Sequence, residues 1–217
     1  MASNLSRRLA QNLKSDNPFR ELSMFFNKDG PIWLTIRSLV KSLEDQKVNY
    51  AVIGGLAVYA HGYERTTHDC DILLSRADYE KFMAKLVNFG LKPKFEGRKK
   101  KFVFTSTGVS VDVAIEGEYP GGGSIGPISF PNPKVCQQNI DDMKVISLPK
   151  LIDLKLASHQ YRPVDRAKDF SDVVELIKIL KLNQLFSNLL DPAVRNKFEQ
   201  ILLGLEEEKQ RMSDNDE

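Results

Sequence analysis

The order of apolar and polar positions divides the chain into a strand-rich middle and helical flanks. Short apolar runs bounded by turn residues predict strands at 50–53, 69–74, 101–105 and 109–115, with a shorter candidate at 128–130. Apolar residues three or four positions apart predict helices at 31–46, 54–60, 76–88, 148–159, 164–180 and 184–205. Strands in the middle with helices before and after favour an α+β fold, in which a small mixed sheet is flanked by helices and followed by a helical C-terminal part.

The same pattern predicts four segments. Residues 1–29 form a lead-in, 30–147 hold the strands and the core, 148–205 are helical, and 206–217 form a polar, acid-rich tail. Residues 1–15 are basic, contain several serines and carry leucines at helical spacing. That composition is compatible with an organelle transit peptide, although short basic N-termini also occur without any targeting role.

Composition limits the function classes. The formal net charge is only +2, so nucleic-acid binding would have to come from a local patch. Cys70 and Cys136 form neither a metal motif nor a disulfide framework, which favours a reducing, cytoplasmic setting. No apolar run approaches the roughly twenty residues that cross a bilayer, so we expect no membrane partner.

Two glycines and two carboxylates form the most informative segment. Gly54 and Gly55 stand where a predicted strand passes into a helix, so a phosphate can approach the backbone amides there. A tight turn without a ligand is the simpler explanation of the glycines alone. Asp69 and Asp71 open the next strand and project from one face, because successive strand residues alternate. Two carboxylates on one face suit hard divalent cations, as phosphoryl and nucleotidyl transfer require.

A third carboxylate comes from a separate predicted strand. In the run 109–115, valines and an isoleucine alternate with Ser110, Asp112 and Ala114, so Asp112 is a single acid opposite an apolar face. A structural salt bridge is one explanation of Asp112. The alternative is convergence with the other two acids, and three neighbouring carboxylates would repel each other unless a cation joined them.

The glycines and acids belong to a longer pattern. An apolar strand ends in Gly-Gly, Arg65-x-Thr67-x-Asp69-x-Asp71 follows, and Asp112 stands alone within VSVDVAI. This pattern resembles the DNA polymerase β-like nucleotidyltransferase superfamily. The resemblance covers roughly residues 49–180. It implies a small mixed-sheet nucleotidyltransferase core.

A later segment resembles one branch of that superfamily. SLPKLIDLKLAS, followed by Arg166-x-Lys168-Asp169 and Asp172, is similar to the AbiEii-like branch, which includes toxins of bacterial toxin–antitoxin pairs. The chain departs from the superfamily at Gly55, where many members have serine. Amide groups, rather than a hydroxyl, are therefore expected to contact phosphate.

The resemblance implies a role for each matched residue. Asp69, Asp71 and Asp112 would hold two magnesium ions that bridge the triphosphate. Asp112 would also act as a base or proton relay near the attacking hydroxyl. Gly54 and Gly55 would hold the triphosphate of the NTP substrate.

Four further residues complete the expected nucleotide site. Arg65 would steady the loop before the acid strand or contact phosphate, and Thr67 belongs to the same set. Lys155 lies on a largely apolar helix face, where a lysine either snorkels past the core edge or reaches an anionic ligand. The resemblance favours a triphosphate contact. Asp169 is carried over from the same pattern, although intrahelical ion pairing also explains it.

Two segments allow more than one interpretation. The run Arg98-Lys99-Lys100-Lys101 is either a solvated turn or a contact for the backbone of an RNA acceptor, which would make binding salt-sensitive. The loop containing Tyr119 and residues 121–123 is a candidate flap over the site.

These observations predict an enzyme, a magnesium-dependent nucleotidyltransferase that moves an NMP from an NTP to an acceptor hydroxyl and releases pyrophosphate. The favoured acceptor is an RNA 3′ end such as tRNA, with a protein side chain or a small molecule as alternatives. The toxin resemblance implies an antitoxin-like protein partner.

Three other functions compete with this prediction. A non-catalytic nucleotide- or partner-binding module would keep the fold without the chemistry. A nucleotide-sugar-dependent glycosyltransferase would need a larger sheet before the acid pair. A two-metal nuclease would leave the glycine pair unexplained.

Overall fold

A seven-stranded mixed sheet organises the chain in a computed structural model, which describes residues 18–97, 99–120 and 126–214. The strands are β1 (Tyr50–Ile53), β2 (Asp69–Leu74), β3 (Leu91–Pro93), β4 (Lys101–Phe104), β5 (Ser110–Ile115), β6 (Gln137–Ile140) and β7 (Met143–Ile146). The helices are α1 (Pro18–Phe26), α2 (Pro31–Asp45), α3 (Gly54–Ala60), α4 (Arg76–Lys85), α5 (Pro133–Cys136), α6 (Leu148–Tyr161), α7 (Ala167–Leu180) and α8 (Pro192–Ser213). A 3₁₀ helix covers Gln184–Leu189.

The strand order is β3-β4-β5-β2-β1-β7-β6. Strands β2 and β5 are parallel, as are β1 and β7, and the other neighbours are antiparallel. The predicted architecture, a small mixed sheet flanked by helices with further helices at the C-terminus, is confirmed.

The chain forms two compact units. Among the described residues, the first comprises those between 18 and 60, between 64 and 116, and between 132 and 146, and it contains the whole sheet with α1 to α5. The second comprises residues 61–63, 117–120, 126–131 and 147–214, with α6 to α8 and the 3₁₀ helix. The four segment boundaries predicted from sequence stay predictions.

Helix α4 covers one face of the sheet in the first unit. It begins at Ser75, whose hydroxyl accepts a hydrogen bond from the Asp78 amide at 3.1 Å, as a helix cap does. Its Phe82 packs edge-on against Phe102 of β4, with ring centroids 5.2 Å apart. Phe102 pairs with Val111 of β5, so the next residue, Asp112, projects from the opposite face.

Helix α6 packs against α7 and α8 in the second unit. The buried carboxylate of Asp153 accepts hydrogen bonds from Lys150 Nζ at 2.8 Å and from the Asp191 amide at 2.9 Å. Burial raises the pKa of Asp153 despite those two donors. Asp191 in turn caps α8 through the amide of Ala193. None of the helices in the described ranges has the length and apolar character that a membrane crossing requires.

The strands predicted at 50–53 and 69–74 are confirmed to the residue. The hairpin predicted from 101–105 and 109–115 is confirmed as antiparallel β4 and β5. Helices α2, α3 and α4 begin where predicted, and α4 ends three residues before the predicted end at 88. Three predictions fall wholly or partly outside the described residues. They are the transit peptide at residues 1–15, the basic run that begins at Arg98, and the flap that contains residues 121–123.

Other expectations were wrong. The lead-in was expected to be loosely ordered, but it contains α1, and the acid-rich tail was expected to fray, but it is helical as far as Ser213. Residues 128–130 form no strand, although Phe130 exchanges backbone hydrogen bonds with Gly117 and Glu118. Strands β3, β6 and β7 were missed. The helix expected from residue 184 is a 3₁₀ turn followed by a separate helix from Pro192.

Candidate active site

The parallel pairing of β2 and β5 places the three predicted acids on one face of the sheet. Asp71 is the register partner of Asp112, and Asp69 is the partner of Ser110. Partners in a parallel pair point to the same side, and Asp69 lies two residues before Asp71 on the same strand. All three aspartates are partly exposed, whereas Cys70 between the first two is fully buried on the opposite face.

Burial also determines the chemistry of Cys70. It raises the pKa of the thiol far above its usual range, and the charges of Asp71 and Asp69 act in the same direction. Because the thiolate is the nucleophilic form, this cysteine is chemically inert and belongs to the core.

The glycine turn lies directly against Asp71. Ile53, the last residue of β1, pairs with Asp71, and Gly54 follows in the left-handed region at φ 63°. A Cβ on Gly54 would be 1.9 Å from Asp71 Oδ2. The close approach of backbone and carboxylate therefore requires glycine at this position.

The loop before β2 folds onto the second glycine. An ideal Cβ on Gly55 would be 2.5 Å from Thr67 Oγ1 and 3.2 Å from Arg65 Nη1. Thr67 is buried and donates its hydroxyl hydrogen to Asp69 Oδ1 at 2.9 Å, while Arg65 donates to the Thr66 carbonyl at 3.0 Å. These contacts place Gly54 against Asp71, Thr67 beside both Gly55 and Asp69, and Asp71 opposite Asp112. The roles assigned to these residues stay predictions.

A lysine shares the acid face with Asp112. Lys101 of β4 is the register partner of Asp112, and its ammonium group forms an ion pair with Asp112 Oδ2. Among the residues that the structure describes, no three histidine, cysteine, aspartate or glutamate side chains are grouped closely enough to hold one ion together. Asp112 is bonded to Lys101, and Asp69 to Thr67.

The acids nevertheless fit a divalent cation by their chemistry. Carboxylate oxygens are the ligands that magnesium prefers. Three like charges on neighbouring strand positions need a positive partner, and the Lys101 ammonium shows that a cation is accommodated beside Asp112.

Lys155 and Asp169 lie in the second unit and form a largely buried cluster with Asp172 there. Lys155 Nζ donates to Asp169 Oδ1 at 2.8 Å and to Asp172 Oδ2 at 2.7 Å. Only 6% of Lys155 and 1% of Asp172 are exposed. Asp169 and Asp172 of α7 are therefore paired mainly with Lys155 of α6. The explanation of Asp169 by ion pairing within one helix was incomplete. Arg166 adds a weaker intrahelical pair with Asp169 at 3.9 Å.

Sequence reasoning missed two contributors to the acid face. Lys94 donates from Nζ to Ser110 Oγ at 2.7 Å, and Ser110 is the partner of Asp69. Finding this contact would have required strand β3, which is too short to stand out. Lys101 was noted only within a basic run, and its position beside Asp112 depends on the register of β4 with β5.

A cavity of about 570 Å³ lies in the first unit away from these residues. Its walls come from residues between 28 and 45 and from 141–143. None of the predicted site residues lines it.

Comparisons with known proteins support the nucleotidyltransferase class that the resemblance implied. Residues 35–122 match the family model described as aminoglycoside-2″-adenylyltransferase, and this range contains all three acids and both glycines.

Solved structures are similar to this chain. A crystal structure of ANT(2″)-Ia in complex with adenylyl-2″-tobramycin has a TM-score of 0.50 and 13% identity, over 77% of this chain and 96% of that one. An antigenic nucleotidyltransferase-like protein from Paracoccidioides brasiliensis has a TM-score of 0.47 and 13% identity, over 83% of this chain and 89% of that one. No protein of curated function matches the sequence.

The chain is accordingly a nucleotidyltransferase, as predicted. The superfamily resemblance is confirmed at the level of class and fold. The AbiEii-like branch stays a prediction.

Proposed function

We propose that the protein is a magnesium-dependent nucleotidyltransferase that transfers an NMP from an NTP to an acceptor hydroxyl and releases pyrophosphate. The observation that carries this proposal is the lateral pairing of Asp71 with Asp112, next to the Gly54 turn. Two carboxylates from separate strands lie beside Gly54, where no side chain covers the backbone. That combination suits a metal-bound triphosphate better than it suits a structural ion pair.

Asp69, Asp71 and Asp112 are the residues that we assign to hold two magnesium ions. Bound magnesium would neutralise the charge that develops on the phosphate oxygens. Asp112 would accept the proton of the acceptor hydroxyl, directly or as a relay, because it comes from the strand beside the acid pair. Thr67 restrains Asp69 through its hydrogen bond.

The backbone amides at Gly54 and Gly55 would bind the triphosphate, and Arg65 beside them would contribute a cation. Lys155 and Asp169, in the second unit, stay in the proposal as the nucleotide-binding residues that the resemblance implies. Within that unit the Lys155 ammonium donates to Asp169 and Asp172.

An RNA 3′ end, such as that of tRNA, is our first candidate for the acceptor. The exposed lysines around β4 support a polyanionic acceptor. The toxin resemblance adds an antitoxin-like partner and a cytoplasmic location to the proposal.

An aminoglycoside-like small molecule is the second candidate. The family match over residues 35–122 favours it, since that family is described by its transfer to aminoglycosides. Tobramycin, which is adenylylated in the ANT(2″)-Ia complex, is a suitable probe.

The test is incubation with magnesium and each NTP, radiolabelled on the α-phosphate, in the presence of total RNA or of tobramycin. We expect label on one acceptor and free pyrophosphate. Asp112→Asn should slow transfer by on the order of a thousandfold while NTP binding persists. Asp45→Asn, which removes an exposed acid paired with Lys41, is the matched control and should transfer normally.

Two results would contradict the proposal. Equal transfer by the Asp112→Asn and unmodified proteins would exclude a catalytic role for the acid face. NTP binding without label on RNA, tobramycin or the protein itself would instead support a non-catalytic binding module.

A further inference from the structure

The acid face continues across the sheet as a row of lysines. Lys101 lies beside Asp112, and the Lys94 amide donates to the Lys101 carbonyl at 2.8 Å, so these two residues are also opposite each other. Lys92 pairs with Val103, which pairs with Ser110. Register partners project from one side of a sheet, so Lys92, Lys94 and Lys101 share the face that carries the acids.

The surrounding segment has the same charge. The described residues between 92 and 101 include five lysines, all exposed, and one glutamate, Glu96. The chain as a whole has a formal charge of only +2, so this segment is a local concentration of positive charge. The edge of the sheet at β3 and β4 is therefore the place where a polyanion is attracted.

Two of these lysines extend toward β5. Lys101 is paired with Asp112, and Lys94 Nζ reaches Ser110 Oγ at 2.7 Å. A cationic acceptor approaching Asp112 from this side would meet like charges. A cation that bound Asp112 would compete with Lys101 for the carboxylate, and the displaced ammonium would then require another anion. A phosphate next to the reacting hydroxyl satisfies that requirement.

An exposed aromatic side chain lies in the same segment. Phe95 follows Lys94, and 56% of its surface is exposed. An exposed aromatic among lysines is the combination that binds single-stranded nucleic acid, because bases stack on the ring while ammonium groups contact the backbone.

We propose that Lys92, Lys94, Lys101 and Phe95 form a binding site for the backbone and a base of a single-stranded RNA 3′ end, whose terminal hydroxyl is the acceptor. This inference rests on the proposed function and specifies its acceptor. The four residues are referred to below as the lysine edge.

Direct binding tests the inference without catalysis. Fluorescence anisotropy with a short labelled single-stranded RNA, without NTP or magnesium, would be measured over a range of salt concentrations. Lys92→Gln with Lys94→Gln should weaken binding on the order of tenfold and reduce the slope of log affinity against log salt by about 1.4. Phe95→Ala should weaken binding by on the order of tenfold with little change in that slope.

The matched control is Lys41→Gln with Lys85→Gln, which removes the same charge from two exposed helical lysines of the first unit. It should bind RNA nearly as the unmodified protein does. Equal weakening in the control pair, or no binding by the unmodified protein, overturns the inference. Tighter binding of a DNA strand of equivalent sequence overturns the assignment to RNA. Urea unfolding of each variant, with an unchanged midpoint, shows that lost binding is not lost folding.

The transfer assay distinguishes failure of the lysine edge from failure of the proposed nucleotidyltransferase function. Transfer to RNA should show a raised KM and a nearly unchanged kcat in the Lys92–Lys94 variant. A different result is transfer to tobramycin but not to RNA, which the Lys92–Lys94 variant leaves unchanged and Asp112→Asn abolishes. That result would overturn the lysine edge as an RNA-binding site, and the proposed function would still hold. No transfer to any acceptor by the unmodified protein overturns the proposed function itself.

Discussion

The side chain of Thr67 fills the space that any side chain on residue 55 would need. A Cβ on Gly55 would lie 2.5 Å from Thr67 Oγ1 and 2.7 Å from Thr67 Cβ, closer than real contacts allow. The same hydroxyl group bonds to Asp69 Oδ1. Because residue 55 is a glycine, there is room for the Thr67 hydroxyl group that orients the Asp69 carboxylate.

We therefore expect Gly55→Ala to lower the free energy of unfolding by about 1–3 kcal/mol, because buried Thr67 must move. Thr67→Gly in the same chain should recover part of that loss, and a double-mutant cycle by urea unfolding measures the coupling. Gly204→Ala is the control, since this glycine lies in a helix with open space around it and should be neutral or stabilising. Additive effects of Gly55→Ala and Thr67→Gly would contradict the fit.

Gly54→Ala should affect both stability and activity. The left-handed backbone at this residue costs about 1–2 kcal/mol for alanine, and the new Cβ would displace the Asp71 carboxylate. We expect transfer to fall by on the order of a hundredfold, as misplaced catalytic groups do. Gly108→Ala has a similar φ of 76° with no atom within 4 Å, so it should lose stability while it retains transfer. Equal activity losses would show that backbone strain, not the contact with Asp71, is the cause.

Lys155→Met should strongly destabilise the protein. It removes the ammonium shared by buried Asp172 and partly exposed Asp169, and breaking a buried ion pair costs about 3–5 kcal/mol. Adding Asp169→Asn and Asp172→Asn should restore much of the stability in urea unfolding. Lys168→Met, at an exposed position of the neighbouring helix, is the control. An unchanged urea midpoint for Lys155→Met would contradict a structural role for the cluster.

Acid should weaken the first unit through Asp78. Burial alone would raise the pKa of this carboxyl, but hydrogen bonds from Lys81, Ser75 and Asn49 together hold it below its usual range. A lowered pKa in the folded state means that the carboxylate stabilises the fold above its unfolded pKa and that this contribution is lost as pH falls through the folded pKa. Urea midpoints should therefore fall as pH drops below about 4.

Asp78→Asn tests that assignment. It should cost about 1 kcal/mol at neutral pH, because the hydrogen bonds to the charged carboxylate are weakened, and the acid-induced loss should become smaller. Asp45→Asn removes an exposed acid and should leave the acid-induced loss as it is in the unmodified protein. Parallel pH profiles for unmodified and Asp78→Asn proteins would rule out Asp78 as the group responsible.

Local patterns predicted the central strands well. The alternation around Asp112 and the apolar run before Gly54 each correspond to a strand with the expected face buried. The shared face of Asp69 and Asp71 follows from strand geometry alone. The sequence did not determine their proximity to Asp112. Asp71 and Asp112 are 41 positions apart, and the register of the two parallel strands that carry them is a tertiary property that no local pattern contains.

The missed elements have physical reasons. Strand β3 is three residues long and ends in Pro93, so it lacks both the length and the composition of a typical strand. Strand β6 reads Gln-Gln-Asn-Ile, which is polar because it lies at the sheet edge. The contacts of Lys94 and Lys101 depend on β3 and on pairing across the hairpin, so the lysine edge emerged only from the structure.

The ladder between β2 and β5 has an evolutionary consequence. Backbone hydrogen bonds fix Asp71 beside Asp112, whereas residues 75–109, which contain the lysine edge, form α4, β3 and β4 between those two strands. Insertions, deletions or charge reversals in that segment leave the spacing of the two acids intact. Selection is thus free to redesign what the protein recognises while the reacting groups are inherited unchanged.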